Sequence, residues 1–229
     1  MFDAIKAGDY SETARLIRAG VHFAARNAEG ESPLIAAAEN GRPEFVKLLL
    51  ENGADVMAKS SNGETAMHMA ALHADPETAR LLIEKGAPVD TANRDGESPA
   101  YWAALSGSIA VLKALVEKGA SLSRTDLKGN TLLHAAADDG HEEVIAFLLE
   151  KKLNRLARNK AGLRPVDLAK MRGQEASVKL LSRRSFDFPS ARQSKLATRR
   201  SGTTVVARSI QSRRLKLVSN PVEIGRAHV

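Results

Sequence analysis

A shift of 33 residues superimposes this chain on itself, and a period of that length leaves few ways to fold it. Gly30, Gly63, Gly96, Gly129 and Gly162 fall in one column, and Ser32, Thr65, Ser98, Thr131 and Arg164 in another. Leu16, Leu49, Leu82, Leu115, Leu148 and Leu181 make a third, with no insertion to break the spacing. Two further glycine columns run through Gly8, Gly41, Gly107, Gly140 and Gly173, with Ala74 the exception, and through Gly20, Gly53, Gly86 and Gly119. A unit of this size is one supersecondary element. It cannot bury an apolar face alone, so the period predicts a stack in which each unit touches only its neighbours.

The unit starting at Asn27 predicts its own local structure. Asn27, Ala28, Glu29 and Gly30 suit a tight turn. Ser32-Pro33 then opens a helix, the hydroxyl capping free N–H groups and the proline filling the first helical position, where no donor is needed. Pro33 to Asn40 is alanine-rich, which lets a neighbouring backbone approach, and Gly41 ends it. Pro43 opens a second helix, in which Phe45, Val46, Leu48, Leu49 and Leu50 cover a face wide enough to be buried between two neighbours. Gly53 closes it.

These residues resemble the ankyrin repeat family, whose unit is a turn and two helices with a Thr-Pro-Leu-His-x-Ala signature. The copies are Ser32-Pro33-Leu34-Ile35-Ala36-Ala37, Thr65-Ala66-Met67-His68-Met69-Ala70, Ser98-Pro99-Ala100-Tyr101-Trp102-Ala103, Thr131-Leu132-Leu133-His134-Ala135-Ala136 and Arg164-Pro165-Val166-Asp167-Leu168-Ala169. The resemblance implies an all-α solenoid over residues 1–181. It has an N-terminal cap at 1–26, units at 27–59, 60–92, 93–125 and 126–158, and a partial closing unit at 159–181. At Lys152 a glycine column fails, so the turn into the closing unit is expected to be irregular or frayed over residues 152–163.

Composition removes several function classes. Cysteine is absent, which excludes disulfides, thiolate nucleophiles and cysteine-ligated metals. No apolar run reaches membrane-spanning length and no secretory signal opens the chain, so a cytoplasmic protein is expected. The net charge of +7 divides unevenly: residues 182–229 carry 11 basic and 2 acidic side chains, leaving residues 1–181 at −2. No phosphate-binding glycine loop, nucleophile elbow or zinc spacing occurs, so neither enzyme activity nor a cofactor is expected.

The resemblance implies that His68 and His134, in the signature position, make structural hydrogen bonds between units. His22, His73 and His141 are expected at exposed edges, and Asp138, Asp139, Glu142 and Glu143 read as solvated charge. Trp102 is expected to pack in the core, with Tyr101 more open. Gly30, Gly63, Gly96, Gly129 and Gly162 are structural punctuation. By resemblance, a partner protein docks on the concave side, on turn tips and on the outer positions of each first helix. The tips are Ala28, Glu29 and Glu31; Ser61, Asn62 and Glu64; Arg94, Asp95 and Glu97; and Leu127, Lys128 and Asn130. The helix positions are Glu39, Asn40, Leu72, His73, Leu105, Ser106, Asp138 and Asp139, with Tyr101 as a further candidate.

Beyond Leu181 the period ends in a Ser- and Arg-rich stretch, residues 182–222, too poor in apolar residues for a core. It reads as a disordered linker. The alternative is an arm for RNA or an anionic surface, working through Arg183-Arg184, Arg199-Arg200 and Arg213-Arg214, and nucleic acid or anionic surfaces are expected as partners only through this tail. Residues Glu223 to Val229 match the translation of a sequencing adaptor. The natural chain is therefore expected to differ beyond Val222, and the stack could be the targeting module of a longer enzyme or effector.

Overall fold

The computed structural model describes residues 1–183, and the expectations placed on the rest of the basic tail and on the last seven residues lie outside the described residues. Twelve helices and no strand occur among them. Helices α1 (Phe2–Ala7) and α2 (Tyr10–Arg18) form the opening pair. Five pairs follow at the sequence period: α3 (Pro33–Glu39) and α4 (Pro43–Glu51), α5 (Ala66–Leu72) and α6 (Pro76–Glu84), α7 (Pro99–Ser106) and α8 (Ile109–Glu117), α9 (Leu132–Asp139) and α10 (Glu142–Glu150), and α11 (Pro165–Met171) and α12 (Glu175–Ser182). The first helices pack on one another in chain order from α1 to α11, and the second helices do the same from α4 to α12. This is the all-α repeat stack that the period predicts.

Local sequence sets each boundary. Ser32 and Ser98 lie in extended conformation, and their hydroxyls accept the N–H groups of Ile35 and Tyr101 at 3.3 and 3.2 Å. Such a cap contributes about 1 kcal/mol. Helix α3 ends at Glu39, one residue earlier than the pattern suggests, with Asn40 as cap, whereas α7 and α9 end against Gly107 and Gly140. Alanine packing leaves α7 buried from Pro99 to Leu105. Leu49, Leu82, Leu115 and Leu148 are fully buried and Leu181 nearly so. Each removes a large apolar side chain from water, a gain of roughly 1.5–3 kcal/mol.

The frayed turn expected at residues 152–163 is not found. Lys152 takes the left-handed conformation itself, with φ 62°. Its N–H donates to Leu149 O at 2.9 Å and that of Leu153 to Leu148 O at 3.1 Å, the pairing that Gly119 and Ala120 make one unit earlier. A side chain at Gly20, Gly53, Gly86 or Gly119 would meet nothing within 4 Å. A lysine in this column therefore costs backbone strain but no clash, and the turn keeps its form.

Candidate functional site

Four tight turns carry the candidate tip residues, and one column of polar heads builds them and a fifth turn at Asn159. Asn27 Oδ1 accepts the N–H groups of Glu29 and Glu31, and Asn93, Asp126 and Asn159 repeat the pattern, with distances of 2.7–3.1 Å. Ser60 does the same through its hydroxyl. Each tip is also bonded to the next. The N–H of Ser61 donates to Glu29 O, Arg94 to Asn62 O, Leu127 to Asp95 O and Lys160 to Lys128 O, at 2.8–3.1 Å. The tips thus form a backbone ladder across four junctions. At Gly96 a Cβ would stand 3.1 Å from Leu127 N, so the ladder crowds any side chain there, in addition to the φ of 78°.

A second line of ties runs through the third position of three first helices, α5, α7 and α9. Thr65 N–H donates to His68 Nδ1 at 3.0 Å, which makes Nδ1 an acceptor and leaves Nε2–H to donate to Glu97 O at 3.2 Å. His134 repeats this with Thr131 N–H at 3.1 Å and Leu163 O at 2.9 Å. Burial holds both imidazoles neutral, lowering His68 to about 4 and His134 in the same direction. Tyr101, expected to be open, is buried instead, and its hydroxyl donates to Asp126 Oδ2 at 3.2 Å in the next unit. Trp102 lies in the core with its ring edge-on to His68 at 5.4 Å, and its indole N–H donates to Glu97 Oε2 at 2.7 Å. Burial raises the Glu97 carboxyl, opposed by the bonds from Trp102 and Asn93.

Several candidates leave the binding surface. Glu31 and Glu64 are buried, because their carboxylates fold back onto their own turns: Glu31 accepts from Asn27 Nδ2 at 2.8 Å and Glu64 from Ser60 Oγ and Asn62 Nδ2 at 3.1 and 3.2 Å. Leu72 and Leu105 are buried as well, since the helix ends carrying them pack between units. Asp138 keeps 14% of its side-chain exposure and binds the Arg172 guanidinium through both oxygens at 2.8 and 3.1 Å, so it is a junction residue and not solvated charge. His141 is half-buried: its Nε2–H reaches Leu105 O at 2.8 Å, and its ring lies over Gly107. His73 is also half-buried, whereas His22 is exposed. Ser106 Oγ donates to Ala71 O at 2.7 Å.

What remains outward is a row. Ala28, Glu29, Ser61, Arg94, Leu127 and Lys128 are exposed on the tips, and Asn62, Asp95, Glu97 and Asn130 are half-buried beside them. Asn40 is exposed at its helix end, and Glu39, His73, Ser106 and Asp139 are half-buried. The row differs from unit to unit, whereas the ladder beneath it is uniform. Among the described residues, no group of three or more His, Asp or Glu side chains gathers as a metal site would. No helix among them is long and apolar enough to cross a membrane.

The heads Asn27, Ser60, Asn93, Asp126 and Asn159 escape a reading centred on glycine, although they obey the same period. The inter-unit pair of Arg124 with Asp90, at 2.8 Å, has no such signal, because it occurs once.

Comparison with protein families matches three models of ankyrin repeats, over residues 16–70, 57–126 and 133–181. No curated protein matches the chain significantly. Together with the helix pairs, the tip ladder and the capping histidines, these matches show that the chain belongs to the ankyrin repeat family, whose members generally serve as protein–protein interaction modules.

Proposed function

We propose that the chain is a cytoplasmic, non-enzymatic scaffold that binds a partner protein along its row of tips and first-helix ends, the concave side in this family. The observation that carries this reading is the contrast between an invariant backbone ladder and the varied side chains standing on it. A rigid support lowers the ordering entropy lost on binding, and the exposed variation on it supplies specificity. Arg94 and Asp95 lie midway along the row and offer opposite charges on one tip, which suits a partner segment of mixed polarity.

The test is a display selection of peptide ligands against the full chain, followed by variants. Arg94→Ala with Asp95→Ala is expected to weaken binding roughly tenfold, the effect of losing a moderate hot spot. Arg80→Ala with Glu84→Ala, on the outer surface of α6, is expected to leave it unchanged. Ligands that ignore the tip pair and respond to the α6 pair would overturn the reading.

A further inference from the structure

We infer that the loop from Lys151 to Lys160 is a docking edge for an anionic membrane surface, separate from the row of first-helix ends. The loop follows α10 and leads into the last tip. It holds five Lys or Arg and no Asp or Glu. The equivalent segments 52–61, 85–94 and 118–127 hold one, two and two basic residues, and each includes an acidic one. Upstream of Lys151 the chain has 14 basic and 23 acidic residues, so this segment reverses the sign of the stack that carries it.

Geometry keeps the charge available. Among the described residues, none of the five cations makes an ion pair. In the third unit Arg124 is neutralised by Asp90 at 2.8 Å. That acid comes from the preceding unit, and at the corresponding position ahead of this loop the chain has Ser123, while within the loop Leu156 is 59% exposed. Lys151, Lys152, Leu156, Arg158 and Lys160 are exposed and Arg155 is half-buried, so cations flank an outward leucine. The edge extends sideways. Lys151 Nζ sits 5.5 Å from the centre of the Phe147 ring, and Lys113 Nζ from α8 shares that ring at 5.8 Å. The Lys160 N–H bond to Lys128 O sets a further exposed lysine beside it.

Cations would hold headgroups, and the leucine in their midst would enter the acyl boundary. A nucleic acid offers phosphates but no place for leucine, and the loop has no aromatic side chain on which bases could stack.

The experiment is co-sedimentation of the full chain with vesicles of phosphatidylcholine containing about one-quarter phosphatidylserine, against phosphatidylcholine alone. The charge variant is Lys152→Gly, Arg155→Ser, Lys160→Ser, and the apolar variant is Leu156→Ser. The charge variant is expected to bind the anionic vesicles on the order of 100-fold more weakly, from roughly fivefold per cation. The apolar variant is expected to bind about three- to tenfold more weakly, with the loss persisting as salt is raised. A urea midpoint for each variant near that of the parent establishes folding, and Lys152→Gly favours it. Parent protein that fails to sediment with anionic vesicles overturns the proposal. So does a charge variant that binds like the parent, which would leave the tail as the sole anchor. An unaffected Leu156→Ser, with single-stranded RNA bound by the parent and lost by the charge variant, would assign the edge to nucleic acid instead.

Discussion

Replacing Lys152 with glycine should stabilise the protein, and the amount follows from the backbone. Lys152 holds φ 62° where three preceding units have glycine at φ 86°, 79° and 88°. A residue with a Cβ forfeits about 1–2 kcal/mol in that conformation. Glycine recovers this, less the about 0.5–1 kcal/mol of extra unfolded-state entropy it brings. The net gain is about 0.5–1 kcal/mol. Two other contributions could blur it. The column is open, so no packing is lost. The lysine charge also sits just past the C-terminal end of α10, where a cation helps by about 0.3–1 kcal/mol, although Lys151 remains beside it. Lys152→Ala separates the two effects, because it removes the charge and keeps the strain. The comparison is between Lys152→Gly and Lys152→Ala, by urea titration of helical circular dichroism on the full chain. Glycine should exceed alanine by about 0.5–1 kcal/mol, or roughly 1–4 °C in melting temperature for a domain of this length. A glycine variant no more stable than the alanine variant would show that φ at this position carries no cost.

His68 is neutral in the fold at about 4 and regains an ordinary pKa of 6.5 when unfolded, so the unfolded chain takes up the proton first. Its contribution is therefore complete above pH 6.5 and is lost as pH falls toward 4, up to about 3 kcal/mol; a His68→Gln variant with the same acid slope in its urea midpoint would contradict this. Gly96→Ala should cost more than about 1 kcal/mol, since it combines φ 78° with a 3.1 Å approach to Leu127 N, and protection of that amide in hydrogen exchange should drop with it. Trp102→Phe keeps a ring against His68 but removes a donor from the half-buried Glu97 carboxylate, at a cost of about 1–2 kcal/mol in thermal unfolding. The Glu97 carboxyl should rise further in that variant, observable by carboxyl-carbon NMR titration.

The features legible in the sequence were those that every unit must repeat. The glycine columns and the buried leucines each solve one steric or burial problem in the same way four to six times, the Ser or Thr caps do so in four units, and period alone reveals them. The binding surface was less legible because charge is not exposure. Glu31, Glu64 and Glu97 recur in one column and read as surface carboxylates, yet Asn27, Ser60 and Asn62 supply hydrogen bonds that let those of Glu31 and Glu64 stay buried. Tyr101 replaces a histidine at one unit and looks free to face a partner, but an acceptor 25 residues away turns it inward. Lys152 misled in the opposite sense: a local strain of about 1 kcal/mol is smaller than the packing of α10 and α12 around it, so it bends no backbone.

The Tyr101–Asp126 contact also bears on how such a stack can be rebuilt. At the two histidine junctions a side chain meets a main-chain carbonyl, which any unit supplies whatever its composition. At this junction the hydroxyl meets a carboxylate belonging to one particular head residue. Transplanting the unit 93–125 ahead of a unit headed like Asn27, Ser60 or Asn159 would present an amide or hydroxyl in place of that charge. As far as this tie goes, shuffling, duplication or insertion of modules is tolerated at the histidine seams, where the ion pairs Arg124–Asp90 and Arg172–Asp138 remain to be matched, and selective at the tyrosine seam. The natural cassette for engineering here is the pair 93–158, cut at its outer boundaries and moved whole.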